Sequence, residues 1–342
     1  MKEPKNILVR MPNWIGDLVM ATPVLADLRK AFPQALITAM CSSPICELLK
    51  EDSSIDELFC FKRPSNKFER RQERRNIVAK IQAGKYDTGI LLTNSFSSAW
   101  WFWLGGVKKR IGYSNHWRRF LLTDPIQVPS SKMHQVDLYK KLLASLGVSF
   151  SKTAPQLYVS EKEIQESKQL LYQRGYVAGK RLIGINPGAA YGEAKCWPLE
   201  RFRALALELL KKEDIYLVFL GDKKSVSLIK EICQGLNPRA INLAGFTSLR
   251  ELVCIIKECD LMVTNDSGPM HVADALGVPL IALFGSTDDE VTGPYSRKGT
   301  IIHKKVSCSP CMKRVCPIDF KCMKQISVEE VIEAVQMRLR RV

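Results

Sequence analysis

The sequence predicts an α/β fold made of two doubly wound parallel-sheet halves. Short apolar runs alternate along the chain with segments of helical length, which is typical of α/β layers. This alternation occurs twice, on either side of a polar stretch at residues 151–180. The length of 342 residues, with 46% apolar and 25% charged residues, suits two globular domains and excludes a wholly disordered chain.

The first half shows the alternation in its simplest form, because apolar runs of strand length are separated by punctuated loops. Its predicted strands are residues 6–11, 36–41, 55–61 and 88–92. Its predicted helices are residues 18–32 and 76–83. A strand–helix–strand order of this kind leads to parallel pairing.

The second half of the chain shows the same alternation of strands and helices more clearly. Its predicted strands are residues 182–186, 215–220, 240–243, 261–264 and 280–284. Its predicted helices are residues 199–212, 226–234, 249–257 and 269–275, with another at 161–174 near the junction. Ligands of such sheets bind at the carboxyl ends of the strands.

We expect an N-terminal Rossmann-like domain at residues 1–165 and a C-terminal Rossmann-like domain at residues 166–325. An amphipathic helix within residues 326–342 should pack back toward the N-terminal domain. Two such halves that face a central cleft make a GT-B fold, although other two-domain α/β proteins share this outline.

The positive charge is concentrated in three segments. Lys plus Arg number 51 against 35 Asp plus Glu, a net charge of +16. Residues 62–75, 108–119 and 304–324 each carry a net +5, and together they hold 15 of these 16 charges. Such clusters favour a partner rich in phosphate or carboxylate, such as nucleic acid, an anionic membrane or an acidic glycolipid. Solvated surface is the alternative for each cluster.

The hydropathy pattern has no apolar run long enough for a membrane-spanning helix. The first residues, MKEPKNILVR, lead into a strand pattern without the features of a signal peptide. We therefore expect a cytoplasmic protein.

The eleven cysteines fall into two sets. Seven are scattered through apolar runs and are interpreted as small buried hydrophobic residues. The other four are Cys308, Cys311, Cys316 and Cys322, whose spacing matches no strong template for zinc or an iron–sulfur cluster. A metal site, reduced thiols and disulfides all remain open for this group.

Three motifs carry the candidate chemistry. The first, Pro-Asn-Trp-Ile-Gly-Asp at residues 12–17, joins the first strand to the first helix. Asp17 would either cap that helix or act as a general base toward a sugar hydroxyl.

The second motif follows the strand at residues 182–186. Gly188 and Gly192 allow close approach of the backbone to a phosphate, and Lys195 supplies a positive charge. The alternative is an ordinary βα loop with a surface lysine.

The third motif is Asn-Asp-Ser-Gly-Pro-Met-His at residues 265–271. Pro269 is placed to begin a helix, whose exposed amides form a phosphate site at Ser267 and Gly268. Asp266 suits sugar hydroxyls. His271 would donate to a phosphate, brace the loop, or lie buried as a core histidine.

Motifs that the sequence lacks exclude several enzyme classes. No D-x-D pair occurs, so the usual carboxylate clamp for a metal–diphosphate is missing. The absence of G-x-G-x-x-G argues against a dinucleotide dehydrogenase, and the absence of G-x-S-x-G argues against an α/β-hydrolase.

The three motifs, in this order and spacing, resemble glycosyltransferase family 9. The resemblance spans nearly the whole chain and is carried by MPNWIGDLVMATPVLADLRKAFP, NPGAAYGEAKCWPLERF and TNDSGPMHVADALGVPLIALFGSTD. LTNSFSSAWWFWLGGVKKRIGY fits the middle of the family's N-terminal domain.

The resemblance implies an inverting, metal-independent GT-B enzyme without a cofactor, in which the N-terminal domain binds the acceptor and the C-terminal domain binds the donor. It would transfer L-glycero-D-manno-heptose from ADP-L-glycero-β-D-manno-heptose to the heptose of a lipid A–Kdo–heptose acceptor, in lipopolysaccharide core synthesis. It would contact the cytoplasmic face of an anionic inner membrane and no nucleic acid. Another member of the family, acting on a core with no heptose or with two, is the alternative. A basic nucleic-acid-binding protein is a further alternative that lacks any recognition motif.

Residue by residue, the resemblance makes Asp17 the catalytic carboxylate, Lys195 the diphosphate-binding lysine and Asp266 the ligand of the donor heptose. It places the remaining donor contacts at Ser267, Gly268, His271, Gly188, Gly221, Asp222 and Thr247. Basic and polar residues near the first motif and the second basic cluster suggest acceptor contacts at Asn13, Lys108 and Arg110. No metal ligand is expected.

Residues 100–103, Trp-Trp-Phe-Trp, cannot all face one side of a helix. We expect some of these rings to pack in the core. The others would be free to meet a lipid acceptor.

Overall fold

A computed structural model describes residues 3–115, 117–296 and 298–340. The chain divides into two compact units, Met1–Tyr158 and Val159–Val342. Each unit is built on its own six-stranded sheet, and within each sheet the paired strands are parallel. The α/β class with two parallel sheets is therefore confirmed.

The first unit alternates strands and helices in chain order. Its strands are β1 (Asn6–Arg10), β2 (Leu36–Ser42), β3 (Glu57–Phe61), β4 (Thr88–Leu91), β5 (Lys109–Tyr113) and β6 (Asp124–Ile126). Its α-helices are α1 (Ile15–Ala31), α2 (Lys67–Gly84), α3 (Phe96–Leu104) and α4 (Gln135–Lys141). Short 3₁₀ helices lie at Ile45–Leu49, Arg119–Leu121 and Leu142–Leu146.

The second unit repeats this alternation. Its strands are β7 (Arg181–Asn186), β8 (Ile215–Phe219), β9 (Ala240–Asn242), β10 (Leu261–Asn265), β11 (Leu280–Phe284) and β12 (Thr300–His303). Its α-helices are α5 (Glu161–Gln173), α6 (Leu199–Leu209), α7 (Val226–Cys233), α8 (Leu249–Glu258), α9 (Gly268–Ala275), α10 (Asp289–Thr292), α11 (Lys321–Lys324) and α12 (Val328–Leu339). A 3₁₀ helix lies at Glu193–Lys195. Within the part of the chain that the structure describes, no helix has the length and apolar character needed to cross a bilayer.

The two sheets share one topology. Their strand orders are β3-β2-β1-β4-β5-β6 and β9-β8-β7-β10-β11-β12. In each, the chain builds outward on one side of its first strand and then returns to the other side. Ligands of such sheets bind beside the carboxyl ends of the strands where the direction reverses. That switch point lies between β1 and β4 in the first unit and between β7 and β10 in the second.

Helix α2 is much longer than the predicted helix at residues 76–83. Asn66 begins it, because its side chain accepts a hydrogen bond of 2.9 Å from the amide of Phe68. Residues 67–76 are almost all exposed, so no apolar periodicity marks this part of the helix. Strands β5, β6 and β12 are also additional to the prediction; two of them are edge strands, which need fewer apolar residues.

The domain boundary lies earlier than the predicted residue 165. Helix α5 belongs entirely to the second unit, where it packs against α8. Glu163 of α5 pairs with Arg250 of α8, with 2.5 Å between Oε2 and Nη2. This contact ties α5 to the second unit, so the boundary between the units lies before α5.

Helix α12 packs within the second unit, and its expected packing toward the N-terminal domain stays a prediction. Its buried side chains lie against α6, β10 and β11. They are Val331, Ala334, Val335 and Leu339. The last two residues of the predicted helix, 341 and 342, lie outside the described residues.

Candidate active site

The predicted donor residues of the second unit follow adjacent strands of one sheet. Gly188 comes after β7, Gly221 and Asp222 after β8, Thr247 after β9 and Asp266 after β10. Because the strands are parallel and adjacent, these residues line the carboxyl edge of the sheet. The position of Asp266 beside the loop after β7 is the switch point of the sheet.

Lys195 and Asp266 meet at this switch point. Nζ of Lys195 lies 2.5 Å from Oδ2 of Asp266, and both side chains are largely buried. Thr287, in the turn after β11, donates a hydrogen bond of 2.6 Å to the same oxygen. The ammonium compensates the buried carboxylate, which would be costly to leave unpaired.

The aromatic ring of Tyr191 lies next to the ammonium of Lys195. Nζ of Lys195 lies 4.7 Å from the centre of the Tyr191 ring. The guanidinium of Arg314 lies 5.2 Å from the same ring. The Tyr191 ring therefore lies between two cations.

Helix α9 begins directly behind the Lys195–Asp266 pair. Ser267 occupies its N-cap position without a side-chain cap, and proline stands in its first turn. Backbone amides in the first turn of a helix lack intrahelical acceptors and attract anions. His271 is buried in the first turn of α9.

Two asparagines join the loops that carry Lys195 and Asp266. Asn186 ends β7, and its Nδ2 donates to the Ser267 hydroxyl at 2.9 Å and to the Gly188 carbonyl at 3.1 Å. Asn265 ends β10, and its Nδ2 donates to the Pro187 carbonyl at 2.6 Å. These side-chain amides hold the loop after β7 against the loop after β10. We did not predict this role, although a polar residue at the end of two apolar runs was the available signal.

Asn265 also positions the start of α6. Its Oδ1 accepts a hydrogen bond of 3.1 Å from the backbone amide of Trp197. The indole Nε1 of Trp197 donates to the carbonyl of Ile326 at 3.0 Å. Lys195 precedes Trp197 by two residues. The hydrogen bonds of Trp197 therefore fix the carboxyl end of the loop that carries Lys195.

The loop after β8 is a tight turn around Ser225. Oδ1 of Asp222 accepts hydrogen bonds from the Ser225 hydroxyl at 2.8 Å and the Ser225 amide at 3.0 Å. A Cβ at Gly188 would lie 2.7 Å from the Ser225 oxygen, and one at Gly221 would lie 2.9 Å from the Ser225 Cβ. Both glycines are needed for this close packing. Thr247 is half-buried next to Ser248, the N-cap of α8.

The cysteine-rich segment packs against the loop of Lys195. The hydroxyl of Tyr191 donates to the Met312 carbonyl at 2.7 Å, and the amide of Ala194 donates to the Arg314 carbonyl at 3.1 Å. His303 holds the base of the segment, with Nε2 2.9 Å from the Ser309 hydroxyl and Nδ1 2.6 Å from Oδ1 of Asp289. The segment therefore supports the site through its backbone.

The cysteines of this segment, Cys308, Cys311, Cys316 and Cys322, all have free thiols. No three His, Cys, Asp or Glu side chains among the described residues form a group that could hold a metal ion. The structure instead pairs Cys46 with Cys60, with a Cα–Cα distance of 5.9 Å. Cys46 is buried as predicted, but Cys60 is exposed on β3 and Cys196 and Cys233 are only half-buried, so the prediction that all seven scattered cysteines are buried is wrong for these three.

Asp17 lies at the switch point of the first unit, inside the first turn of α1. Trp14 occupies the N-cap position, so the interpretation of Asp17 as a cap is wrong. A carboxylate in the first turn is stabilised by the positive end of the helix.

The side chain of Asp17 has a partner on another helix. The hydroxyl of Tyr139, from α4, donates to Oδ1 of Asp17 at 3.3 Å. Burial and the carboxylate of Asp17 raise the pKa of Tyr139 well above its usual range.

Asn13 is held beside the same strand end by a buried arginine. Nη2 of Arg10 donates to Oδ1 of Asn13 at 2.6 Å. The guanidinium lies 4.7 Å from the ring centre of Phe61, and burial lowers the pKa of Arg10 to about 9. The contact orients the amide so that its NH₂ group faces away from Arg10.

Lys108 and Arg110 lie at the opposite edge of the first sheet. Both are near the amino end of β5, which pairs with the start of β4, whereas Asp17 follows the carboxyl end of β1. The guanidinium of Arg110 donates to the carbonyls of Val107 at 2.6 Å and Leu121 at 2.7 Å. The structure therefore does not bring these two residues together with Asn13 and Asp17.

Arg118 is, like Arg10, a buried cation that was not predicted from the sequence. It is fully buried, and its Nη2 donates to Oδ1 of Asn94 at 3.1 Å, just beyond the carboxyl end of β4. Its Nε donates to the carbonyl of Tyr113, which ends β5, at 2.8 Å. Burial lowers the pKa of Arg118 to about 10. Its presence in the second basic cluster was the only signal in the sequence.

Comparisons with known proteins identify the family of this chain. The model of glycosyltransferase family 9 (heptosyltransferase) matches residues 74–321. A lipooligosaccharide heptosyltransferase 2 of Campylobacter jejuni is 29% identical over an alignment of 342 positions, which covers 98% of each chain. A lipopolysaccharide heptosyltransferase 2 of Escherichia coli K12 is 32% identical over an alignment of 310 positions, which covers 87% of each chain.

The fold has a close counterpart among solved structures. The E. coli ADP-heptose lipopolysaccharide heptosyltransferase II superimposes with a TM-score of 0.84 at 29% identity. The match covers 98% of this chain and 99% of that one. This likeness confirms the GT-B fold class predicted from the sequence.

Proposed function

The chain belongs to glycosyltransferase family 9, and from this membership we propose that it is an inverting, metal-independent heptosyltransferase of type II. Its donor would be ADP-L-glycero-β-D-manno-heptose, and its acceptor the heptose of a lipid A–Kdo–heptose core of lipopolysaccharide. The observation that carries the proposal is the pairing of Lys195 with Asp266 at the switch point of the second sheet. There, a cation for a diphosphate and a carboxylate for a sugar lie side by side.

The donor would bind along the carboxyl edge of the second sheet. Lys195 and the first-turn amides of α9, near Ser267 and Gly268, would hold the diphosphate. His271 would donate to a phosphate oxygen. Asp266 would accept hydrogen bonds from hydroxyls of the heptose. The adenosine would lie over Gly188, Gly221, Asp222 and Thr247.

The reaction needs a base and a stabiliser of the leaving group. The acceptor hydroxyl would attack the anomeric carbon from the face opposite ADP, and Asp17 would take its proton. The bond from that carbon to the β-phosphate oxygen breaks, and its electron pair leaves with ADP. Lys195 and the α9 amides would stabilise the growing charge, and each such donor is typically worth about 3–4 kcal/mol.

Metal-independent catalysis is supported by the sequence and by the charges at the site. The chain has no D-x-D pair to clamp a metal–diphosphate. Lys195 and the start of α9 supply positive charge at the place proposed for the leaving group. These groups would do the work that a divalent cation performs in other transferases.

The acceptor would bind near the switch point of the first sheet. Asn13 presents an oriented amide there. Arg10 and Arg118 are buried cations that donate hydrogen bonds to carbonyl and amide oxygens. Their charge suits the carboxylates of Kdo and the phosphates of the core. We place the enzyme at the cytoplasmic face of the anionic inner membrane, where the lipid part of this acceptor would be embedded.

The test is transfer in the presence of EDTA. The purified protein is incubated with ADP-heptose and a one-heptose lipid A–Kdo core, beside an Asp17→Ala variant. We expect ADP release, a product heavier by one heptose with inverted anomeric configuration, and near loss of both in the variant. Transfer only onto a core with no heptose, or with two, would assign another acceptor. Transfer that EDTA abolishes would overturn metal independence.

A further inference from the structure

Helix α3 carries aromatic side chains on its outward side. Phe96, Trp100 and Trp103 are spaced four and three residues apart, which places them on one face of the helix. Their ring centres are 6.0 Å apart for Phe96 and Trp100 and 5.0 Å apart for Trp100 and Trp103. Phe120, from the 3₁₀ helix Arg119–Leu121, extends the set at 6.0 Å from Phe96. We call these four residues the aromatic face.

The aromatic face is not needed to pack α3 onto its sheet. The other side of the helix is buried through Ser98, Ala99 and Phe102, and Trp101 packs edge-on against Phe61 at 5.7 Å. Trp103 is nevertheless 46% exposed and Phe120 is 70% exposed. Contiguous exposed apolar patches of this kind mark interaction surfaces.

The surroundings of the aromatic face are positively charged. Residues 88–123 contain five Lys or Arg and no Asp or Glu. Lys108, shortly after α3, and Arg119, next to Phe120, are both exposed. A partner for this surface must therefore be apolar and also negative.

Helix α2 adds to this charge beside α3, against which it packs. Its residues 67–76 are almost all exposed and include five Lys or Arg against two Glu. Lys67 and Arg70 lie in or next to its first turn, where a cation is unfavourable because of the helix dipole. These side chains thus do not serve the helix itself, which indicates a role toward an external anion.

We propose that the aromatic face docks on an anionic lipid bilayer, with its rings in the interfacial layer and Lys108, Arg119 and α2 against the headgroups. Indole rings favour this layer because they are apolar with one polar edge. Each Lys or Arg near an anionic bilayer adds to the attraction.

This docking surface is continuous with the candidate acceptor site of the first unit. Phe96 begins α3 two residues after Asn94, which binds Arg118 at the carboxyl end of β4. Strand β4 pairs with β1, which leads to Asn13 and Asp17. The inference rests on the proposed function for its purpose, since a membrane-bound acceptor would then reach Asp17 from the docked side.

Vesicle flotation tests the surface directly. We compare the wild type with Trp100→Ala/Trp103→Ala on vesicles of phosphatidylcholine with and without phosphatidylglycerol. We expect the wild type to bind only the anionic vesicles, and the double variant to lose about tenfold or more in partition coefficient, because two interfacial rings are gone. Tyr172→Ala, which removes a similarly exposed ring from α5 (45% exposed), should bind like the wild type.

Three results would overturn the proposal. The first is a wild type that fails to bind anionic vesicles, and the second is a double variant that binds them as well as the wild type does. The third result is a wild-type dimer that the double substitution converts to a monomer. The last result would make the aromatic face an interface between two copies. Should the double variant fail to fold, Phe120→Ala repeats the test at the most exposed ring of the face.

Transfer to a deacylated, water-soluble acceptor separates this proposal from the proposed function. We expect the double variant to keep the wild-type rate on that acceptor and to lose rate on vesicle-bound acceptor. An equal loss on both acceptors would place the rings in sugar binding and overturn membrane docking. Vesicle binding through the aromatic face by a protein that transfers no heptose would support docking and reject the proposed function.

Discussion

The ammonium of Lys195 lies 2.5 Å from Oδ2 of Asp266, although 71 residues separate them in the chain. Each is placed by a separate loop of the second sheet, and Asn186 and Asn265 hold these loops together. A bound diphosphate would compete for the ammonium. The donor-binding state would then share Lys195 between a phosphate and Asp266.

Lys195→Ala should lower heptose transfer by about 100–1000-fold, because the charge that stabilises the leaving diphosphate is lost. The loss should appear in kcat more than in KM if the contact strengthens in the transition state. Steady-state kinetics with varied ADP-heptose measure both. Lys211→Ala, which removes an exposed lysine paired with Glu208, is the control and should be neutral. A Lys195→Ala enzyme with wild-type kcat would exclude the role.

Thr287→Val should weaken the enzyme without removing any charge. Its hydroxyl donates to Oδ2 of Asp266 at 2.6 Å, and a hydrogen bond to a charged group is worth about 1.5–3 kcal/mol. We expect a fall in kcat/KM of roughly tenfold or more. Thr292→Val, at a threonine whose hydroxyl bonds only weakly to the Asp288 carbonyl at 3.3 Å, serves as the matched control. Equal kinetics for the two variants would show that Thr287 does not position Asp266.

Tyr139→Phe should shift the acidic limb of the pH–rate profile. The Tyr139 hydroxyl donates to Asp17, and a donor to the charged form of a carboxyl favours ionisation. Without it, Asp17 should need a higher pH to act as a base, so the limb of kcat/KM moves to higher pH. Because the pKa of Tyr139 is raised well above its usual range, Tyr139 itself adds no basic limb.

Tyr113→Phe is the control for this prediction, since its hydroxyl donates to the carbonyl of Leu138 at 2.7 Å and not to a carboxylate. Its acidic limb should stay where the wild type has it. Superimposable profiles for Tyr139→Phe and the wild type would count against Tyr139 as a positioning residue.

The strands and the carboxyl edge of the second sheet were predictable because local patterns determine them. The apolar runs that form β7 and β10 are continuous, and the polar motifs follow each strand immediately. Parallel pairing then places Lys195 and Asp266 at one edge. Topology was required only to make β7 and β10 neighbours.

The remaining contacts depend on tertiary structure, and no local sequence pattern predicts them. Asp17 and Tyr139 are 122 residues apart, and Tyr139 belongs to no predicted element or motif. Lys108 and Arg118 belong to one basic cluster, yet β5 carries them to opposite edges of the sheet. Net charge cannot distinguish these edges, because it does not depend on strand direction.

The contact between α5 and α8 gives a prediction for acid stability. Oε1 of Glu163 accepts a hydrogen bond of 2.9 Å from Nε of Arg250, and Oε2 lies 2.5 Å from Nη2. These hydrogen bonds are the largest reason that the pKa of Glu163 is lowered to about 2. Ser160 caps α5 and also bonds to Glu163.

The sign of the effect follows from the lowered pKa. Glu163 should stabilise α5 on α8 fully above its unfolded pKa near 4.5 and lose this contribution as the pH falls toward 2. Glu163→Gln should therefore show less protection of α5 than the wild type at pH 7, and a smaller further loss between pH 4.5 and 2. Hydrogen exchange of α5 peptides across this range measures both. Glu166→Gln, at a more exposed glutamate 3.9 Å from Lys162, should follow the wild type. Parallel loss of protection in Glu163→Gln and the wild type would mean that another carboxylate governs the acid response of this contact.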